Sequence, residues 1–137
     1  MPDIHAARSG TLDPHALGEI QAVVQTYLDG LYEGDAEKLA ASFHPQADLR
    51  SVKPDGTLAV MPRGEWIAMV RSRPAPAAQG LSRHDRILSI DLAGPDMVVV
   101  KLNCAIPPRF FTDCLVLLRL AEGWRIVSKV FRTDVRG

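Results

Sequence analysis

The chain has 137 residues, 47% hydrophobic and 23% charged, and its 16 basic and 16 acidic side chains cancel to a formal net charge of +0. This length suits one domain that buries a full core without disulfides or a structural metal. The balanced charge argues against a nucleic-acid-binding protein, which usually carries a basic face, and no apolar stretch is long enough to span a membrane. The low net charge also permits copies of the chain to associate.

The N-terminal residues and the two cysteines indicate the cellular compartment and the domain organisation. The first residues lack the basic-then-apolar pattern of a secretory signal peptide, so a cytoplasmic location is expected. Residues 1–12 are predicted to be a flexible N-terminus and residues 13–137 to form a single domain. In a reducing compartment Cys104 and Cys114 are expected to be buried thiols rather than a disulfide.

Metal and cofactor signatures are missing from the sequence. Neither cysteine lies in a Cys/His cluster with zinc-ligand spacing, so no metal site is predicted. The chain carries no phosphate loop or dinucleotide fingerprint and no nucleophile elbow. We therefore expect no cofactor.

Two helices joined by a Gly-Asp corner are predicted near the N-terminus. Asp13-Pro14 is a helix-start signal, because a capping side chain precedes a proline at the first helical position. Gly34 ends this helix, Asp35 can cap the next one, and His44-Pro45 stops that second helix, which carries Leu39 and Phe43 inward. The first helix, about residues 14–32, has one apolar stripe formed by Leu17, Ile20, Val24, Tyr27, Leu28 and Leu31.

A short hairpin and a third helix are predicted next. Residues 47–53 and 58–61 form the two strands, and Pro54 and Gly56 supply the backbone angles of the turn between them. Pro62 opens the third helix, about residues 63–72, and a loop follows at 74–80.

The remainder of the chain is predicted to be strands, at about residues 83–92, 97–106, 110–120 and 124–133. This order predicts an α+β fold with the helices on one face of a mostly antiparallel sheet. The strands at 97–106 and 110–120 are apolar on both faces, whereas a solvated antiparallel sheet alternates apolar and polar residues. A second copy of the chain is the simplest cover for the outer face, so we expect a homodimer.

Short segments along residues 16–132 resemble a known group of proteins. The chain resembles the nuclear-transport-factor-2-like (NTF2-like) cone of ketosteroid isomerases, SnoaL-type polyketide cyclases and scytalone dehydratase, and is most similar to bacterial proteins labelled "putative lumazine-binding". The resemblance implies three N-terminal helices packed on a strongly curved sheet, and homodimers joined through the sheet. The matching segments include Tyr27-Leu28-Asp29-Gly30-Leu31, Gly34-Asp35, Phe43-His44-Pro45, Phe111-Thr112-Asp113, Gly123-Trp124-Arg125-Ile126-Val127 and Lys129-Val130-Phe131.

The resemblance to ketosteroid isomerases implies a catalytic position for Tyr27 and for Ser51. Tyr27 falls where those enzymes place an oxyanion-binding tyrosine, and a buried phenol can donate a hydrogen bond to a developing enolate. Ser51 falls where they carry a carboxylate base, and serine cannot abstract a carbon-bound proton without a base of its own. This departure argues against steroid-isomerase chemistry. The alternative for Tyr27 is a core residue whose hydroxyl is satisfied at the helix end.

Asp113 and Lys129 are charged residues within long apolar strands. With a three-residue loop at 121–123, Leu115 would face Lys129 and Asp113 would face Phe131, which makes Asp113 and Lys129 diagonal neighbours. A two-residue turn would place them on opposite faces of the sheet. Two interpretations stay open: an acid/base or anion-anchoring pair in a cavity, or an ion pair at the dimer seam or sheet end.

The weak catalytic candidates are therefore Tyr27, Asp113, Lys129 and His44, although a histidine before a proline is more typical of a helix end. Three functions remain open: a small-molecule-binding protein with an unknown, largely apolar or aromatic ligand, a cofactor-independent isomerase, cyclase or dehydratase, and a dimeric interaction module with a filled core. Binding ranks first, because the expected base is missing. The predicted pocket between helices and sheet is formed by Tyr27, Leu31, Phe43, Trp66, Val70, Asp113, Lys129 and Phe131.

Overall fold

The computed structural model describes residues 14–137, so the segment 1–12 and the predicted cap Asp13 lie outside the described residues. Residues 14–137 contain three helices: α1 (Pro14–Glu33), α2 (Ala36–Ser42) and α3 (Arg63–Ser72). Asp35 caps α2 as predicted, since its carboxylate accepts hydrogen bonds from the backbone N–H groups of Glu37 and Lys38 at 3.0 and 3.3 Å. None of these helices has the length and hydropathy of a membrane-spanning helix.

Glycine allows the close packing of α1 on α2. A Cβ atom at Gly30 would lie 2.8 Å from a methyl carbon of Leu39, so any larger side chain would force the Leu39 side chain or α2 to shift. Gly34 has φ +68°, the left-handed conformation that ends α1 and that glycine adopts without strain. The backbone conformation at position 34 therefore requires glycine at the corner between α1 and α2.

In the described part of the chain, six strands form one sheet in the order β2-β1-β6-β5-β4-β3. They are β1 (Phe43–Val52), β2 (Leu58–Pro62), β3 (Arg86–Leu92), β4 (Met97–Ile106), β5 (Arg109–Leu120) and β6 (Gly123–Val135). All neighbouring pairs are antiparallel except β1 and β6, which are parallel. The helices lie over the concave face, which confirms the predicted α+β cone.

The predicted boundaries were wrong in two places: where the second helix gives way to the first strand, which was predicted from residue 47 and begins at Phe43, and at the start of the strand predicted from residue 83. Phe43 was expected in the second helix, but α2 ends at Ser42 and Phe43 is extended, with φ −103° and ψ 138°. Pro45 disfavours a helical conformation at His44. This restriction is satisfied because His44 already lies in a strand. The strand predicted from residue 83 begins at Arg86, because the Arg83 guanidinium is held in the preceding loop by ion pairs with Asp29 and Asp85 at 3.0 and 2.6 Å.

The two cysteines lie on opposite faces of the sheet. Cys104 on β4 is buried in the core, whereas Cys114 on β5 is exposed on the outer face, and both are free thiols. The expectation of two buried thiols was therefore wrong for Cys114. Strand alternation is the reason, since Cys114 pairs with Lys101, an exposed residue on the outer side of β4.

A bulge sets the register between β5 and β6. Leu120 pairs with Gly123, so the turn contains only two residues, which on its own would place Asp113 and Lys129 on opposite faces. A register shift follows between Val116 and Leu117, and one extra residue on β6 inverts the alternation again. Leu115 therefore pairs with Lys129 and Asp113 with Phe131, the pairs that the sequence predicted from a three-residue loop.

Candidate functional site

A cavity of about 340 Å³ opens between the helices and the concave face of the sheet. Its wall comes from α1, α3, β1, β2, β5 and β6, with the segment after α3 and the corner between β4 and β5 completing the rim. This volume lies at the lower end of the range of about 300–1,000 Å³ that is typical of small-molecule sites. The lining residues are Leu31, Leu49, Ser51, Ala59, Met61, Trp66, Met69, Arg73, Ile106, Arg109, Phe111, Lys129, Phe131 and Thr133.

Lys129 projects from β6 into a cluster of aromatic rings at the cavity wall. Its Nζ lies 4.8 Å from the ring centroids of both Trp66 and Phe131, 5.1 Å from that of Tyr27 and 5.9 Å from that of Phe111. Cations within about 6 Å of an aromatic face are attracted to its electron-rich centre. With a side chain only 4% exposed, the ammonium exchanges most of its water for these rings and one carboxylate.

That carboxylate belongs to Asp113 on β5, which is completely buried. Its Oδ2 accepts a hydrogen bond from the Tyr27 hydroxyl, lies 3.8 Å from Lys129 Nζ and accepts from Cys104 Sγ at 3.6 Å. Its Oδ1 is also buried and accepts no hydrogen bond from the described residues. We call Tyr27, Asp113, Lys129 and Cys104 the buried polar cluster.

Burial fixes the protonation of two members of the buried polar cluster. The pKa of Tyr27 is raised well above its ordinary value, first by burial and then by the neighbouring negative charge of Asp113. Burial, again followed by Asp113, raises the pKa of the Cys104 thiol. Both groups are therefore neutral hydrogen-bond donors at physiological pH, and Cys104 is no thiolate nucleophile.

The structure brings Tyr27, Asp113 and Lys129 together but leaves His44 apart. The His44 ring accepts a hydrogen bond from the backbone N–H of Gln46 at 3.0 Å, and His44 does not line the cavity. The ion pair lies on the concave side under α1, so the interpretation as a dimer-seam or sheet-end pair was wrong. The tyrosine hydroxyl is satisfied by Asp113 and not at the helix end.

The predicted pocket residues fall into two layers. Leu31, Trp66, Lys129 and Phe131 line the cavity, together with Ser51. The other predicted residues are buried behind this lining and belong to the core: Tyr27, Phe43, Val70 and Asp113. Phe43 and Tyr27 support Trp66 from behind, with ring centroids 4.8 and 6.1 Å from that of Trp66.

Sequence reasoning missed two arginines on the lining. Arg73 is the C-cap residue of α3, and its backbone N–H donates to the carbonyl of Val70. Arg109 is the first residue of β5, directly after the Pro107-Pro108 corner. Basic residues are common at such boundaries, so no pattern in the sequence distinguished these two from solvated arginines.

The structure has a second depression of about 440 Å³ near the ends of β3 and β5. His84 lies at its edge and packs against the Phe110 ring, with centroids 5.2 Å apart. Its charged residues are of both signs, with Asp85 and Asp134 beside Arg86 and Arg136. Within residues 14–137 no group of three or more His, Cys, Asp or Glu side chains could hold a metal ion.

The first cavity offers aromatic faces and a hydrogen-bond donor, whereas the carboxylate of Asp113 lies behind its lining. Trp66, Phe111 and Phe131 offer aromatic faces. Lys129 can donate hydrogen bonds, but an ammonium has no lone pair with which to accept a proton. Asp113 could accept one, but it lies behind the lining and already accepts from Tyr27.

Comparison with known proteins identifies the group to which this architecture is similar. A family model described as "Putative lumazine-binding" matches residues 15–132. No curated protein matches the chain.

Solved structures give the same result for the fold. An NTF-2-like protein of unknown function from Silicibacter pomeroyi is 26% identical, with a TM-score of 0.78 over 90% of this chain and 100% of that chain. An NTF2-like protein of unknown function from Methylobacillus flagellatus is 25% identical, with a TM-score of 0.79 over 93% and 99%. A ketosteroid isomerase-like protein from Erwinia carotovora is 16% identical, with a TM-score of 0.68 over 90% and 100%, and this likeness concerns the fold alone.

Proposed function

The chain belongs to the family described as "Putative lumazine-binding", within the NTF2-like superfamily, and we propose that it binds a small, flat, largely apolar or aromatic molecule between helices and sheet. One observation carries the proposal: the cavity of about 340 Å³ is lined by the rings of Trp66, Phe111 and Phe131. Concave, mainly apolar sites with a few polar groups are the usual form of small-molecule pockets.

Tryptophan fluorescence provides a direct test. Trp66 lines the cavity while Trp124 is buried outside the lining, so a ligand stacked in the cavity should quench the emission of Trp66. The probes are lumazine, after the family description, and 2-naphthamide as a neutral aromatic of similar size. We expect saturable quenching by at least one probe. No quenching by either at millimolar concentration would contradict the proposal.

A cavity-filling variant tests where the probe binds. Ala59 lines the cavity, so Ala59→Phe should fill it and weaken binding at least tenfold. Ala41→Phe, on the exposed side of α2, makes the same chemical change away from the cavity and should leave binding unaltered. Equal affinities for the two variants would place the probe elsewhere.

A cofactor-independent enzyme of the isomerase, cyclase or dehydratase type is the second candidate. The specific observation in its favour is the buried polar cluster directly behind the cavity wall, with Lys129 reaching the lining. Binding still ranks first, because Ser51 stands where the resemblance places a base and Asp113 does not line the cavity. Conversion of a bound ligand by the wild type, lost in Asp113→Asn with folding intact, would reverse this order.

The dimeric interaction module with a filled core ranks third, because Trp66 and Phe131 line an open cavity of about 340 Å³ and do not fill it. We also propose a cytoplasmic location, since free Cys104 and Cys114 are typical of a reducing compartment.

The proposed assembly is a homodimer joined through the outer face of the sheet. This face exposes Val52, Leu58, Val60 and Val130 by 76%, 58%, 49% and 50%. Val130→Asp should convert a dimer into a monomer in light scattering coupled to size-exclusion chromatography. Val135→Asp, at the end of the same strand and outside this patch, should leave the mass unchanged. A wild-type monomer at high micromolar concentration would refute the dimer.

A further inference from the structure

The charged residues of the cavity lining are all positive. Arg73, Arg109 and Lys129 line it, and no aspartate or glutamate of residues 14–137 belongs to the lining. Lys129 has its counter-charge in Asp113, 3.8 Å away. The two arginines have no such partner: within residues 14–137, neither guanidinium makes an ion pair with a carboxylate or a hydrogen bond to another group.

Arg73 is the more constrained of the two. Its Nε is buried and has no hydrogen-bond partner within residues 14–137, which is uncommon because buried polar groups are nearly always paired. Burial, and then the positive charge of Arg109, lowers the pKa of the Arg73 guanidinium, so the two cations are close enough to repel. A guanidinium nevertheless stays protonated in proteins.

Two neighbouring cations, one with a buried unsatisfied donor, oppose folding unless an anion compensates them. Guanidinium groups offer planar, paired donors that match a carboxylate. Both arginines line the same cavity as Trp66 and Phe131, so an anion held between them would leave the rest of its molecule against the aromatic wall.

We propose that Arg73 and Arg109 form an anion clamp at the rim of the cavity, and that the ligand is a small aromatic or apolar carboxylate. This inference rests on the proposed binding function and narrows the ligand class. Lys129 is excluded from the clamp, because its charge is compensated by Asp113 and its ammonium is surrounded by rings.

A matched pair of probes isolates the charge. 2-Naphthoate and 2-naphthamide have nearly the same shape, and only the first is an anion. Titrated against the full chain by calorimetry, 2-naphthoate should bind at least tenfold more tightly, a difference of about 1.4 kcal/mol. The preference should shrink as salt concentration rises, since Arg73 is only partly buried and Arg109 is exposed.

Charge-removing variants assign the preference to the clamp. In the Arg73→Gln/Arg109→Gln variant the preference should fall below about twofold, with 2-naphthamide affinity within about twofold of the wild type. The control Arg71→Gln/Arg119→Gln removes two exposed arginines from the same helix and strand, outside the lining, and should keep the full preference. Circular dichroism should give identical spectra for all three proteins.

Each contrary outcome has a distinct meaning. Equal wild-type affinity for both probes would overturn the clamp and leave the proposed binding function standing. A preference that survives in Arg73→Gln/Arg109→Gln but disappears in Lys129→Met would overturn the clamp by moving the anion to Lys129. Failure of both probes, and of lumazine, benzoate and indole-3-acetate, to bind at millimolar concentration would overturn both proposals.

Discussion

Replacing Lys129 by methionine would remove a cation from the buried polar cluster while keeping an unbranched stem among the aromatic rings. Lys129 is 3% exposed and Asp113 is fully buried, so water cannot replace the lost ammonium. The carboxylate of Asp113 would keep its hydrogen bonds from Tyr27 and Cys104 but lose its only opposite charge within residues 14–137.

The separation between the two charges sets the magnitude. At 3.8 Å and an effective dielectric constant near 20, the attraction between Lys129 and Asp113 is about 4 kcal/mol. Part of this is offset, because the variant no longer buries an ammonium. Breaking buried ion pairs by removing one partner typically costs about 3–5 kcal/mol. We therefore expect Lys129→Met to lower the free energy of unfolding by about 3 kcal/mol.

Guanidinium chloride denaturation, followed by tryptophan fluorescence, measures this loss. Lys101→Met, an exposed lysine on the outer side of β4, is the matched control and should change stability by less than about 0.5 kcal/mol. The double variant Asp113→Asn/Lys129→Met should lose at least about 2 kcal/mol less than the two single variants added together. A loss below about 1 kcal/mol for Lys129→Met, or additive single effects, would refute an energetically coupled pair.

Three further predictions use the same denaturation assay. Tyr27→Phe should cost about 1.5–3 kcal/mol, because a charged acceptor loses its donor. Since the folded-state pKa of Tyr27 is raised, wild-type unfolding free energy should fall above about pH 10 by about 1.4 kcal/mol per pH unit. In Tyr27→Phe this pH dependence of the unfolding free energy should be absent. The same slope in the variant as in the wild type would contradict its assignment to Tyr27. Asp35→Ala should cost about 1 kcal/mol through loss of the α2 cap, and no loss would mean that the cap is dispensable. Arg73→Gln/Arg109→Gln should not lower the midpoint of thermal unfolding, since it removes a repulsion, and a lower midpoint would indicate a structural role.

The elements that the sequence predicted correctly have strong signals at both ends. Helix α3 follows Pro62, and its bounds agree with the prediction. Strand β4 lies between a Gly-Pro-Asp turn and the Pro107-Pro108 corner, and its bounds agree as well. Phe43 was misplaced because an apolar residue beside a helix end fits either a helix face or the first position of a strand.

The register of β6 shows what local patterns cannot supply. The pairing of Leu115 with Lys129 was predicted from a three-residue loop, whereas the protein reaches it through a two-residue turn and a bulge. The two-residue turn and the bulge each shift the in–out alternation of β6 by one residue, so together they have the effect of the three-residue loop. A bulge depends on packing across the sheet, and no residue of β6 predicts one from the sequence alone.

The cations of this site differ in whether a carboxylate compensates their charge. A compensated cation has a structural role, and an uncompensated one is available to a ligand. Lys129 and Asp113 stood out in the sequence because charges interrupt apolar strands, but their mutual compensation gives the pair a role in stability without any ligand. Arg73 and Arg109 did not stand out, because only the structure shows that neither guanidinium has a carboxylate partner within residues 14–137. A ligand anion would gain little from Lys129, whose charge is already neutralised, and much from two uncompensated guanidinium groups. Anion affinity and folding stability should therefore respond to different residues: Arg73 and Arg109 for the first, Lys129 and Asp113 for the second.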